Sequence, residues 1–182
     1  MVNSVLNDIV ESLQGLYSKW PGAKSYGIAE LVRRGEGLVP GVVDDKGEIK
    51  YVGPDDTRPV ISYHRLTGLN STVAASYGNR LGDVVNTYSI TLVVWMDRTK
   101  TKMSQDQMLL YIQANTPDFL KATTLSKKVI VRFTGAILNS QTVFNTEFAG
   151  TEFRLPAEKT MFQINYTLQV QFDKSCLKEC PC

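Results

Sequence analysis

Met161-Phe162-Gln163-Ile164-Asn165-Tyr166-Thr167-Leu168-Gln169-Val170-Gln171-Phe172 alternates between apolar and polar residues without a break. In an extended chain Phe162, Ile164, Tyr166, Leu168, Val170 and Phe172 fall on one side, and Gln163, Asn165, Thr167, Gln169 and Gln171 on the other. The stretch holds no Gly, Pro or charge and is about twice the usual strand length. It therefore predicts a long strand with one polar face. That face carries amides and a hydroxyl rather than Lys or Glu, which leaves two readings open. Antiparallel sheets commonly present one face to water, but amides also desolvate more cheaply than ions and pair with backbone or with one another, which suits a second subunit.

Working outward from this strand, Thr87 to Asp97 shows the same period, with Val93 and Trp95 making both faces apolar toward its end, so it is expected to be central and covered on both sides. Val60 to Leu66 and Val129 to Leu138 read as further strands. Leu38 to Val43 and Ile49 to Val52 flank Asp44-Asp45-Lys46-Gly47-Glu48, the form of a hairpin, and Pro40 in its first arm suggests an edge strand. Val5, Leu6, Ile9, Val10, Leu13, Leu16, Tyr17 and Trp20 recur at helical spacing, with Asn3 or Ser4 placed to cap and Pro21-Gly22 to stop the helix. Ser104-Gln105-Asp106-Gln107 has the form of a capping box for a second helix, with Pro117 a candidate break. Gln141 to Phe148 reads as a short helix closed by Gly150, and Thr67 to Asn86, rich in Gly, Ser, Asn and Thr, as a long functional loop.

This order predicts one α+β domain over residues 1–175, an antiparallel or mixed sheet with an N-terminal helix and one or two further helices packed on it. Residues 176–182 form a Cys-containing tail. At 182 residues, 43% apolar and 21% charged, the chain supports one well-packed core and excludes a wholly disordered polypeptide. A net charge of +2, with 20 basic residues scattered among 18 acidic ones, gives no basic stripe for nucleic acid. No apolar run is long enough to span a bilayer, and Asn7, Asp8, Glu11 and Gln14 contradict a signal peptide, so synthesis in the cytoplasm is expected.

Candidates for chemistry are few. His64 is the single histidine and lies in an apolar strand beside Tyr63. It is a general-base candidate, but no Ser or Cys can be placed beside it, and a structural role is the simpler reading. The alternative function is accordingly a small enzyme or ligand-binding domain using His64 with a carboxylate. Gly35-Glu36-Gly37 lacks the Gly-Lys-Ser/Thr ending of a phosphate loop. Asp44-Asp45 and Asp55-Asp56 have the character of turn residues. Cys176, Cys180 and Cys182 form a C-x3-C-x-C cluster. Three thiolates can hold a soft metal, but common closed sites take four ligands, so a free reduced tail is the simpler expectation, with a shared metal or a disulfide left open. No cofactor is expected.

From Tyr88-Ser89-Ile90-Thr91-Leu92-Val93-Val94-Trp95, through the helix from Ser104 and Val129-Ile130-Val131-Arg132-Phe133, to Phe162–Phe172, the order and pattern of elements resembles the tail terminator and head-to-tail joining proteins of tailed bacteriophages. The N-terminal helix and the hairpin fit the same order; the Thr67 to Asn86 stretch and the Cys tail depart from it. The resemblance implies a structural virion protein rather than an enzyme. It implies a homo-oligomeric ring in the neck, made in the host cytoplasm, contacting portal, adaptor or tail proteins, with DNA passing through its lumen and no membrane. Under it, subunit contacts are expected at Gln163, Asn165, Thr167, Gln169 and Gln171, and at Asn70, Tyr77 and Arg80.

Overall fold

The computed structural model describes residues 2–44, 46–53, 55, 57–73, 84–122 and 129–172. In chain order these form α1 (Val2–Leu16), a 3₁₀ turn (Tyr17–Lys19), β1 (Lys24–Arg34), β2 (Gly37–Val43), β3 (Ile49–Tyr51), β4 (Val60–Val73), β5 (Val84–Asp97), α2 (Arg98–Thr101), α3 (Gln105–Ala122), β6 (Val129–Ile137), α4 (Ser140–Glu147) and β7 (Lys159–Phe172). The strands make one sheet in the order β3-β2-β1-β4-β5-β7-β6. Every neighbouring pair is antiparallel except β1 with β4. The β2–β3 hairpin intervenes between those two strands, so the chain re-enters beside the start of β1 running the same way. The sheet is therefore mixed and the domain α+β, with three helices after α1 rather than one or two.

β5 and β7 pair from Val84–Phe172 to Asp97–Lys159, and this ladder divides two cores. On one face Tyr88, Ile90, Leu92, Val94 and Met96 meet Phe162, Ile164, Tyr166, Leu168 and Val170, under α1 (Leu6, Ile9, Leu13, Leu16) and α3 (Met108, Ile112). Each such fully buried side chain contributes roughly 1.5–3 kcal/mol, so this face supplies most of the driving force. On the other face Val93, Trp95 and Met161 join Ile61 and Tyr63 beneath Val143, Phe144 and Phe148 of α4 and its C-terminal end. α4 is 8 residues long, so it shelters only the end of β7 near Lys159. The far end of that face keeps its polar residues.

Several elements differ from the sequence expectation for identifiable reasons. The described parts of the stretch from Thr67 to Asn86 are strand, Gly68, Leu69, Asn70, Ser71, Thr72 and Val73 pairing with residues 84–89 of β5, while residues 74–83 of the expected loop lie outside the described residues. The register shifts between Leu66 and Gly68, and the extra residue, Thr67, breaks the period of two that the sequence would otherwise display. Pro40 is not on an edge strand, because β2 lies between β1 and β3. The Pro40 carbonyl accepts from Val52 N at 2.8 Å, just past the last residue of β3, so the missing N–H falls where that ladder has already ended. α3 runs through Pro117, its early turns anchored by Met108 and Ile112 in the core. Its capping box forms as expected: Gln107 N donates to Ser104 Oγ at 3.2 Å, and Ser104 N to Gln107 Oε1 at 2.9 Å. α1 begins at Val2, so Asn3 and Ser4 lie inside it rather than at its cap. α2, not anticipated, starts on Asp97, whose Oδ1 accepts from Thr99 N at 2.9 Å and Lys100 N at 3.1 Å while Lys159 Nζ approaches Oδ2 at 3.0 Å.

Candidate subunit interface

Beyond the shelter of α4, the register of β4, β5, β7 and β6 assembles the polar side chains into cross-strand rows. Asn165 lies opposite Thr91, whose hydroxyl donates to Asn165 Oδ1 at 2.9 Å. Thr167 sits between Ser89 and Arg132, and Gln169 between Thr87 and Ile130. Asn70 pairs with Thr87 from the other side, and Gln169 Nε2 reaches Thr87 Oγ1 at 3.4 Å. Asn70 thus belongs to the same surface as the β7 amides, although nearly 100 residues separate them in sequence. Gln171 pairs with Val85 at the end of the ladder. Asn70 and Arg132 are exposed, and Asn165, Thr167 and Gln169 are half-buried. These rows contain hydroxyls, amides and a few aliphatic groups; among the described residues their charges are Arg132 and, opposite Thr91 on β4, Arg65, which bonds to Glu147 of α4. Such a surface desolvates at lower cost than an ionic one.

Gln163 does not belong to it. It is buried, and Gln163 Nε2 donates to Glu147 Oε1 at 3.2 Å. The same carboxylate accepts Tyr63 Oη at 2.9 Å on Oε2 and Arg65 Nη1 at 2.8 Å on Oε1. Asn139 caps α4, its Oδ1 accepting from Thr142 N at 3.0 Å, and the helix then delivers Glu147 at its last residue. A carboxylate at a helix C-terminus opposes the macrodipole, and a fully buried one is costly unless paired. Arg65, Tyr63 and Gln163 supply the pairing and pin α4 to the sheet. Burial, followed by the Glu147 charge, pushes the Tyr63 hydroxyl well above its ordinary pKa. This cluster marks the boundary between the dry and the polar halves of the face, which is why the alternation alone misplaces Gln163.

His64 lies on the opposite face, 1% exposed, with its ring edge-on to Tyr166 at 6.2 Å between centroids. Neither ring nitrogen has a side-chain hydrogen-bond partner among the described residues, and no carboxylate bonds to it; the Tyr26 backbone is a polar neighbour outside good hydrogen-bond geometry. Burial holds its pKa down at about 4, with the Tyr26 backbone opposing only in part, so the ring is neutral at neutral pH. A surface groove of about 390 Å³ lies elsewhere, between the β1–β2 turn and the segment after α4, lined among others by Arg34, Glu36, Val39, Thr151 and Phe153. His64 does not reach it. Gly35-Glu36 is a two-residue hairpin turn with Gly35 at φ +63°, the geometry that calls for glycine rather than a phosphate cradle. Asp44 acts as the turn residue it resembles, its Oδ1 accepting from Lys46 N and Glu48 N, each at 2.9 Å.

Tyr77, Arg80, Cys176, Cys180 and Cys182 lie outside the described residues. Among the described residues no group of His, Cys, Asp or Glu could hold a metal ion, and no helix is long and apolar enough to cross a membrane. Sequence reasoning missed Glu147 and Arg132. The signal for Glu147 was present: it follows Val143 by four residues and Phe144 by three, on the apolar stripe of α4. Arg132 is a lone charge inside the apolar run Val129-Ile130-Val131-Arg132-Phe133. No protein-family model matches the chain, and no curated protein matches it in sequence.

Proposed function

We propose that this chain is a structural subunit of a homo-oligomeric ring in the head-to-tail neck of a tailed bacteriophage, of tail terminator or connector type, joining portal or adaptor to tail around the DNA channel. The observation that carries the reading is the polar face of β4, β5, β7 and β6, where Asn70, Thr87, Ser89, Asn165, Thr167 and Gln169 form continuous rows without a carboxylate. A monomer's surface usually interleaves charges of both signs for solubility; extended rows made mainly of amides and hydroxyls suit a surface that is covered when subunits associate. The elements that carry the resemblance, α1, the β2–β3 hairpin, β5, α3, β6 and β7, follow one another in that order, with β1, β4, α2 and α4 among them. His64, buried and without a carboxylate partner among the described residues, gives no support to the enzyme alternative.

The test is the mass of the purified protein by light scattering, for wild type and for Gln169→Arg. Gln169 lies diagonal to Arg132 across the β6–β7 ladder, so the new charge meets like charge as well as the neighbour. A discrete multi-subunit mass that falls on substitution is the expected result. An assembly whose mass is unchanged by Gln169→Arg removes this face from the interface, and a wild-type monomer at every concentration, with no assembly on portal rings, removes the ring.

A further inference from the structure

We propose that the ring closes margin to margin, the apolar β2–β3 hairpin of one copy seating against the outer edge of β6 in the next. This rests on the ring reading above and names the contact that builds it. The two surfaces lie at opposite margins of the same seven-stranded sheet, about 29 Å apart at ~4.8 Å per strand. At one margin Val43, Ile49 and Tyr51 are 62%, 48% and 48% exposed, and Val43 faces Ile49 across the hairpin. At the other, β6 runs Val129 to Ile137 with Arg132 its only charge, no proline, and no strand among the described residues on its outer side. Ile137 there is 38% exposed.

Sheet edges in soluble proteins are ordinarily blunted by brevity, charge, proline or a bulge. β3 is 3 residues long and carries Lys50, but it still presents its apolar pair. β6 is interrupted only by the bulge between Phe133 and Gly135, which leaves Val129 to Phe133 straight. A foreign partner on one margin would leave the other uncovered in every subunit. A second copy joining unlike patches covers both with one repeated contact, the heterologous geometry that generates rings. The hairpin's exposed charges are mixed, Lys46 and Lys50 with Glu48, so Arg132 on β6 meets a carboxylate only where it approaches Glu48, beside Ile49. Pairing β6 with itself about Val131 would instead set two Arg132 side chains on a diagonal roughly 8 Å apart. Area also decides what the contact must include. The facing β3 edge of 3 residues is about 10 Å long and about 10 Å thick, near 100 Å², a small part of the roughly 800 Å² per partner that stable interfaces bury. The contact must therefore also take in the hairpin face around Val43 and the adjoining Ile130, Thr167 and Gln169 rows.

The experiment is complementation by mass. Ile49→Asp and Ile137→Asp each place a charge on one margin, and each variant alone is expected to run as a 20.3 kDa monomer. Mixed in equal amounts, they retain one intact hairpin and one intact β6 edge, and the expected product is a dimer of twice the subunit mass containing one of each. Far-UV circular dichroism and thermal unfolding establish that each variant folds; Val43→Asp and Thr134→Asp replace any that does not. A wild-type oligomer whose mass survives either folded variant overturns the margin contact while leaving the ring intact, as does a mixture that stays monomeric. A wild type that never oligomerises, either alone or on portal rings, refutes the ring reading itself.

Discussion

Replacing Glu147 by Ala tests whether the buried carboxylate fastens α4 to the sheet. The substitution removes the acceptor for Tyr63 Oη, Gln163 Nε2 and Arg65 Nη1 together. Tyr63 and Gln163 are buried, and an unpaired buried donor costs about 1–3 kcal/mol. The Arg65 side chain is 26% exposed and can turn toward water, so its contribution is smaller than the full penalty for an orphaned buried charge. Relief of the buried carboxylate and of its opposition to the helix dipole offsets part of the loss. The expected net destabilisation is about 3 kcal/mol, which at roughly 2–4 °C per kcal/mol for a chain of this size lowers Tm by about 10 °C. Urea unfolding followed by tryptophan fluorescence gives the free energy, since Trp95 packs against Phe144 and Phe148 under α4. Tyr63→Phe alone should cost about 1–2 kcal/mol. In the Glu147→Ala background that cost should nearly vanish, because the hydroxyl has already lost its acceptor. A loss below about 1 kcal/mol for Glu147→Ala, or strict additivity of the two substitutions, refutes this account of the cluster.

His64 should make stability fall as pH drops from about 6.5 to about 4, because the unfolded imidazole binds a proton throughout that window while the buried one does not. A shift of that size corresponds to about 3 kcal/mol; His64→Phe should flatten the slope between pH 6.5 and 5, and an unchanged slope would refute it. Asp97 behaves oppositely to an ordinary exposed acid: burial alone would raise its pKa, but its hydrogen bonds from Thr99 and Lys159 outweigh this and hold it well below the usual carboxylate range. Its stabilisation is present above the ordinary carboxylate pKa and is lost as pH falls below it. Asp97→Asn takes the carboxylate away from the buried Lys159 ammonium and should cost about 3–5 kcal/mol, measured by chemical denaturation at pH 7; a loss under about 1 kcal/mol would refute Asp97 as the main anchor of Lys159. Gly37→Ala should destabilise more than Gly41→Ala, since the added Cβ at position 37 meets the Gly150 backbone at 2.8 Å, whereas at 41 it meets the movable Ile49 and Val32 side chains at 2.8 and 2.9 Å. Comparison of their unfolding midpoints decides the order.

What the sequence made legible follows the reach of local rules. The period of two in β5 and β7 specifies which residues share a face, so the core of Phe162, Ile164, Tyr166, Leu168 and Val170 is readable directly. The box at Ser104 and the turn at Asp44 are likewise readable, because their partners lie within four residues. Periodicity says nothing about how far along a face a neighbouring element extends. Gln163 and Gln169 are equivalent in the alternation, yet α4 covers one and not the other. A single inserted residue such as Thr67 hides an otherwise regular strand by reversing the alternation after it.

Register between strands distant in sequence is the remaining unknown, and it decides the candidate interface. Asn70 and Gln169 share one row, on either side of Thr87, only because β4 and β7 both pair with β5. The same register places Arg132 beside Thr167 and leaves β6 as the outer strand. The polar rows and the open edge are therefore contiguous, and a neighbour seated on the β6 edge must also approach Thr167 and Gln169. This couples the two tests. If the margins join, Gln169→Arg should weaken assembly less than Ile137→Asp, because Gln169 lies one strand inward from the contact. A Gln169 variant that disrupts assembly while the Ile137 variant leaves it intact would move the interface from the margin onto the face.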